Sequence, residues 1–182
     1  MYVLVIENIF FGRKIIQKFD LKGSGRNRFV NLDAKKPTKS ADDEVVLMDT
    51  NLVQLIRDSP LYVRPEEKRL LQNAIDDDTT FLTSLELIDY SLLVGIDDAD
   101  TPNGVRGQLV VGIIDYIRSY TWDKKIESAV KSSISGKEPP TIVKPELYKE
   151  RFLNRMNQYF LPIPDSESKV DLLESSSTVI VL

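Results

Sequence analysis

The chain has 182 residues, 42% of them hydrophobic and 29% charged, with 24 Lys plus Arg against 28 Asp plus Glu for a formal net charge of −4. That length supports one core of ordinary size, and the balance of apolar and charged residues excludes a wholly disordered chain. It contains no Cys and no His, so disulfides, thiolate nucleophiles, imidazole bases and Cys/His zinc sites are excluded, leaving carboxylates, Lys, Arg, hydroxyls or an oxygen-bound metal for any chemistry.

In chain order, the opening residues 1–10 are rich in Val, Ile and Phe and read as a buried strand that begins in mid-core, as a cut chain would. They lack a basic leader and a cleavage site, and Glu7 interrupts them, so they are not expected to be a signal peptide. No apolar run approaches the roughly 20 residues of a membrane span, and any membrane contact is expected to be peripheral. Gly12 and Arg13 offer a turn into a second strand, Lys14–Phe19, which would make a hairpin with the first. Beyond a polar loop, Val45–Met48 reads as a short strand. Asp49 or Thr50 can cap a helix over Asn51–Arg57 that ends before Pro60.

Pro65 at a first helical position, with Glu66 and Glu67 at the positive end of the dipole, starts a helix with Leu70, Leu71, Ala74 and Ile75 on one face. Asp78 can cap another, with Phe81, Leu82, Leu85 and Leu87 or Ile88 turned inward. Tyr90–Ile96 and Gln108–Ile117, separated by an acidic turn, read as a hairpin. Residues 121–144 lack periodicity and read as a long loop. Pro145 opens a last helix whose Tyr148, Phe152, Met156, Tyr159 and Phe160 recur at helical spacing, most simply as core packing. Residues 163–182 read as a flexible tail, whose Val179–Leu182 could add a strand to a partner's sheet edge.

Charge is distributed unevenly. Residues 1–40 hold nine basic and three acidic side chains, and residues 70–105 hold eight acids and no base. This points to an anion at one place and a cation at another, or to ordinary solvated faces. Asp20-Leu-Lys-Gly-Ser-Gly-Arg-Asn-Arg28 combines two glycines with three bases, as a phosphate-facing loop requires. It lacks both the dinucleotide fingerprint and a full Walker loop. Aromatics are not interleaved with these bases and the chain is acidic, which argues against nucleic acid. Asp89 and Asp115 each end an apolar run. A buried carboxylate needs a metal or basic partner, so the pair either shares a divalent cation, finds bases, or turns outward. Trp122 with Lys124 and Lys125 suits an anionic membrane interface, or is an exposed loop with incidental lysines.

Taken in order, Asp20-Leu-Lys-Gly-Ser24 with Arg28, Ile88-Asp-Tyr-Ser-Leu-Leu-Val-Gly-Ile96, Val111-Gly-Ile-Ile-Asp115 and Lys124-Lys125 resemble the motifs of phosphatidylinositol phosphate kinases. Lys22-Gly-Ser-Gly-Arg-Asn-Arg28 and Ile113-Ile-Asp-Tyr-Ile-Arg-Ser-Tyr-Thr-Trp-Asp-Lys-Lys-Ile-Glu127 resemble the PIKfyve-type branch, which phosphorylates phosphatidylinositol 3-phosphate on its 5-hydroxyl. The likeness covers residues 1–162. It implies an α+β fold, the C-terminal lobe of such a kinase, with helices packed on small, largely antiparallel sheets. It implies ATP and Mg²⁺ as cofactors and a phosphoinositide lipid as substrate. The place of action would be peripheral, on the cytoplasmic face of endosomal or vacuolar membranes, with scaffold proteins as possible partners.

By the same resemblance, Asp89 is the catalytic aspartate and Asp115 the metal ligand. Lys22 stands with Asp89 in catalysis, Asp20 and Arg28 line the phosphate side, and Ile6, Asn8 and Ile9 form the hinge against adenine. Trp122, Lys124 and Lys125 serve the substrate and membrane. The family's glycine loop and phosphate-binding lysine precede the hinge, near which this chain begins, so the isolated chain is expected to be inactive or nearly so. A non-catalytic phosphoinositide-binding or scaffold module is the alternative.

Overall fold

The computed structural model describes residues 5–32, 45–58, 60–100, 106–120, 143–163 and 179–181. The elements are β1 (Ile15–Leu21), β2 (Val46–Met48), α1 (Asp49–Asp58), β3 (Leu61–Val63), α2 (Pro65–Ser84), β4 (Ser91–Asp100), β5 (Arg106–Ile114), α3 (Pro145–Tyr159), β6 (Phe160–Pro162) and β7 (Val179–Val181). The fold is α+β. A five-stranded sheet runs β2-β1-β4-β5-β7, and β3 pairs with β6 in a second, two-stranded sheet. The long ladders β1–β4 and β4–β5 are antiparallel, and the short pairs β1–β2, β5–β7 and β3–β6 are parallel.

The opening segment departs from its expected strand. Residues 5–13 form no strand and turn at 9–12, with Val5, Ile6 and Phe11 exposed, and β1 pairs with β2 and β4 instead of making a hairpin with them. The segment crosses the sheet at Gly95, where an added Cβ would lie 2.5 Å from the Phe10 ring. Phe10 thus occupies the space that any other residue at position 95 would fill. The segment ends at the far end of the hairpin, where the Lys14 N–H donates to the buried Asp97 carboxylate at 3.1 Å and Arg13 pairs with that carboxylate at 3.6 Å.

The helix expected to begin at Asp78 does not form, because α2 runs unbroken from Pro65 to Ser84. Leu71, Ile75, Thr79 and Leu82 continue one buried stripe at helical spacing, and Thr79 satisfies its buried hydroxyl by donating to the Ile75 carbonyl at 2.6 Å. That register turns Leu70, Phe81 and Leu85 outward, contrary to the expected inward faces. Pro65 and Pro145 begin their helices as expected. The aromatic stripe of α3 is core: Tyr148, Phe152, Met156 and Tyr159 are all buried. Tyr90 packs edge-on against Tyr148 and Phe152 at 4.7 and 5.2 Å between ring centroids. Burial of Phe152 alone is worth about 1.5–3 kcal/mol. At the C-terminus, Val179–Val181 adds to β5 of the chain's own sheet, not to a partner's edge. Residues 121–142, including Trp122, Lys124 and Lys125, lie outside the described residues.

Candidate active site

The Asp20–Arg28 loop is folded around a carboxylate that the sequence suggested only as a helix cap. Asp49 is wholly buried. Its oxygens accept from the backbone N–H groups of Lys22 at 3.1 Å and Gly23 at 2.8 Å, from Arg28 Nε at 2.9 Å and from the Tyr159 hydroxyl at 3.1 Å. Four donors from two loop residues, one base and α3 offset the desolvation of this charge. Arg28 also donates to the Asp20 carboxylate at 2.8 Å and to the Asp20 carbonyl. Burial works against the Arg28 charge, but the hydrogen bond to Asp49 and the field of Asp20 outweigh it and raise its pKa further. Next to Arg28, the loop turns in the left-handed region at Asn27 (φ 57°) and at Gly23 (φ 68°). Gly23 lies so close to α3 that a Cβ there would meet Arg155 Cβ and Phe152 Cα at 3.2 Å.

This anchoring sets Lys22. Its side chain is only 15% exposed, and Nζ lies 2.8 Å from Asp89 Oδ1. Arg118 donates to the other oxygen, Oδ2, and is 43% exposed. Asp89, with its own side chain 20% exposed, is held between two bases. Burial opposes its ionisation, yet the hydrogen bonds from Lys22 and Arg118 prevail and bring its pKa below the usual carboxylate value. The Tyr148 hydroxyl donates to the Tyr90 carbonyl at 2.5 Å, so α3 also grips the backbone beside Asp89.

Register determines where the second aspartate stands. Ser91 pairs with Ile114, so Asp89 and Asp115 flank the same end of the β4–β5 hairpin, two residues before one strand and one residue after the other. Both adopt positive φ, 70° and 60°, which costs a non-glycine residue about 1–2 kcal/mol. Backbones held in that region at one end of a ladder mark a site whose geometry is imposed by its surroundings. The strands continue past this point as a shorter pairing: Ile88 N–H donates to the Arg118 carbonyl at 2.9 Å, Tyr120 N–H to the Glu86 carbonyl at 2.8 Å, and Leu87 bridges Ser119.

Of the outcomes open to the two carboxylates, a shared cation, basic partners or exposure, the structure shows basic partners at Asp89 and exposure at Asp115. Both Asp89 oxygens are taken by Lys22 and Arg118, and Asp115 is exposed, so neither carries an uncompensated burial cost. No group of three or more metal-ligating side chains occurs among the described residues. Asp115, with free oxygens there, fits a small hard cation that brings phosphate oxygens with it, the usual manner of Mg²⁺ binding.

Lys22, Asp89, Asp20 and Arg28 are thus brought into one cluster, with Asp115 at the adjoining hairpin end. Ile9 lies along the same strand, its Cδ1 3.2 Å from where a Cβ on Gly112 would be. Ile6 is exposed, and Asn8 spends its carboxamide oxygen on the Phe10 N–H at 3.1 Å. Sequence reasoning missed Asp49 as the hub and Arg118 as the second partner of Asp89. The first read as an ordinary cap, and the second is joined to Asp89 only by strand register.

The sequence profile described as phosphatidylinositol-4-phosphate 5-kinase matches residues 1–108 and 100–159. The chain is 51% identical over 173 residues to the protein named 1-phosphatidylinositol 3-phosphate 5-kinase of Mus musculus, covering 93% of this chain and 8% of that one. It is 52% identical over 166 residues to the protein of that name in Homo sapiens, covering 90% and 7%. Against 1-phosphatidylinositol 3-phosphate 5-kinase FAB1 of Saccharomyces cerevisiae the identity is 43% over 170 residues, covering 91% and 7%. The chain therefore spans less than a tenth of the length of these relatives.

Proposed function

Because this chain belongs to the phosphatidylinositol-4-phosphate 5-kinase family, we propose that its site is the hydroxyl-activating side of an ATP- and Mg²⁺-dependent lipid kinase. The substrate is phosphatidylinositol 3-phosphate and the product the 3,5-bisphosphate. The observation that carries this reading is the ionised Asp89 held by Lys22, with Asp115 at the same hairpin end.

Asp89 orients the 5-hydroxyl and takes its proton as the new oxygen–phosphorus bond forms and the bond to the departing ADP oxygen breaks. A carboxylate with a depressed pKa is a weak base. That suffices, since phosphoryl transfer runs through a loose transition state in which positioning outweighs proton abstraction. Lys22 keeps Asp89 ionised and oriented, and it adds positive charge where negative charge collects. Asp115 would hold Mg²⁺, which when bound neutralises charge on the nucleotide phosphates. Arg28 and Asp20 brace the loop that carries Lys22. Ile6, Asn8 and Ile9 serve as the adenine-facing hinge, and Trp122, Lys124 and Lys125 meet the anionic membrane. The lipid substrate places the reaction at a membrane surface, in this reading the cytoplasmic face of endosomes or vacuoles. No helix among the described residues is long and apolar enough to cross a membrane.

The test replaces the corresponding segment of the Mus musculus relative by residues 1–159 and measures lipid phosphorylation. Asp89→Asn and Asp115→Asn should each reduce turnover by about 10³-fold or more with folding intact. Turnover close to that of the unmutated chimera in either variant would reject that residue's role.

A further inference from the structure

Asp89 is bonded to two cations where one would neutralise it, and the mechanism above uses only Lys22. The other, Arg118, differs from Lys22 in a telling way: its side chain is 43% exposed against 15%. Its backbone is nonetheless fixed, because the Arg118 carbonyl accepts from Ile88 N–H at 2.9 Å and the neighbouring Ser119 bridges Leu87. A guanidinium on a fixed backbone with an open outer side is a receptor for an oxyanion, and its planar fork suits a phosphomonoester. Arg118, the more exposed of the two partners, thus occupies Asp89 Oδ2, and a headgroup hydroxyl bound at that oxygen must displace it.

We propose that Arg118 is a specificity-determining residue: its guanidinium leaves Asp89 for the phosphomonoester of the incoming headgroup as a ring hydroxyl takes its place on the carboxylate. The proposal rests on the kinase reading above. In a 3-phosphorylated inositol the phosphate and the 5-hydroxyl are separated by a single ring carbon, so the adjacent acid and base meet the two groups together. The exchange makes the phosphate a condition for uncovering Asp89. A headgroup without it offers nothing to draw the guanidinium away. The nucleotide's terminal phosphate presents the same chemistry, and binding measurements separate the two sources.

With the full 182-residue chain, affinities for glycerophosphoinositol 3-phosphate, for glycerophosphoinositol, whose one phosphate is a diester, and for MgATP are measured by calorimetry. Arg118→Gln should weaken glycerophosphoinositol 3-phosphate by tenfold or more and leave glycerophosphoinositol unchanged. Arg118→Lys should recover only part of the loss, and Asp89→Asn, which releases the guanidinium, should tighten the 3-phosphate. In the chimeric enzyme Arg118→Gln should raise KM for phosphatidylinositol 3-phosphate and erase its preference over phosphatidylinositol. An equal loss on both lipids would mean that Arg118 merely props Asp89, and unchanged affinity for glycerophosphoinositol 3-phosphate, or a loss confined to MgATP, would equally overturn the proposal. Undiminished turnover of Asp89→Asn in the chimera would instead sink the kinase reading, a result independent of the Arg118 binding measurements.

Discussion

Asp49 and Asp89 are two acids beside the same basic loop, and their surroundings differ in kind. Asp49 is wholly buried, and its donors include two backbone N–H groups and the hydroxyl of Tyr159. Asp89 is partly open, and Lys22 and Arg118, two long, charged side chains, donate to it. Backbone donors cannot move without unfolding the loop, whereas Lys and Arg side chains can exchange partners. The first carboxylate therefore holds a shape, and the second is held by partners that can let it go.

The largest effect that could break this contrast is the removal of the hub. Asp49→Ala leaves two N–H groups and the Tyr159 hydroxyl without their acceptor and takes one of two carboxylates from the largely buried Arg28, and should cost about 3–5 kcal/mol in urea denaturation. A loss below 1 kcal/mol would show that the loop does not depend on it. Next comes Gly23→Ala, which forces a Cβ into the left-handed region and against α3. We expect a loss of about 1–3 kcal/mol, with weaker coupling of Lys22 to Asp89. A neutral substitution would mean that α3 yields at this point.

The smallest effect concerns pH and sharpens the description of Asp89. Its pKa is depressed in the folded chain, so ionised Asp89 contributes stability above the ordinary carboxylate pKa of about 3.9, and that contribution fades as pH falls through the folded value. Thermal melts of the wild type and Asp89→Asn should differ most near neutrality and converge below that range. A gap that widens on acidification would contradict the two-base environment.

Much of this was legible along the chain because it is local. Strand-like apolar runs bounded by turns announced β1, β4 and β5, Pro65 and Pro145 marked helix starts, and the stripe from Tyr148 to Phe160 declared its buried face. Asp89 drew notice as a charge beside apolar neighbours, which needs no fold to recognise. Local reasoning failed where two segments compete for the same space. The apolar opening resembled a strand, but the sheet positions beside β1 are taken by β2 and β4, leaving it to cross the sheet over Gly95. The capping signal at Asp78 was overridden by a stripe that runs through it.

By itself, then, the amino-acid order determined the kinds of element, the core faces and the chemical types available for catalysis, since these depend on periodicity and on side-chain chemistry. Tertiary structure alone decided the partnerships: Asp49 with a loop 26 residues earlier, and Arg118 with an aspartate 29 residues away. Such pairings follow from strand register and loop closure, which no local pattern encodes, and they separate the carboxylate locked by backbone donors from the one held by exchangeable side chains.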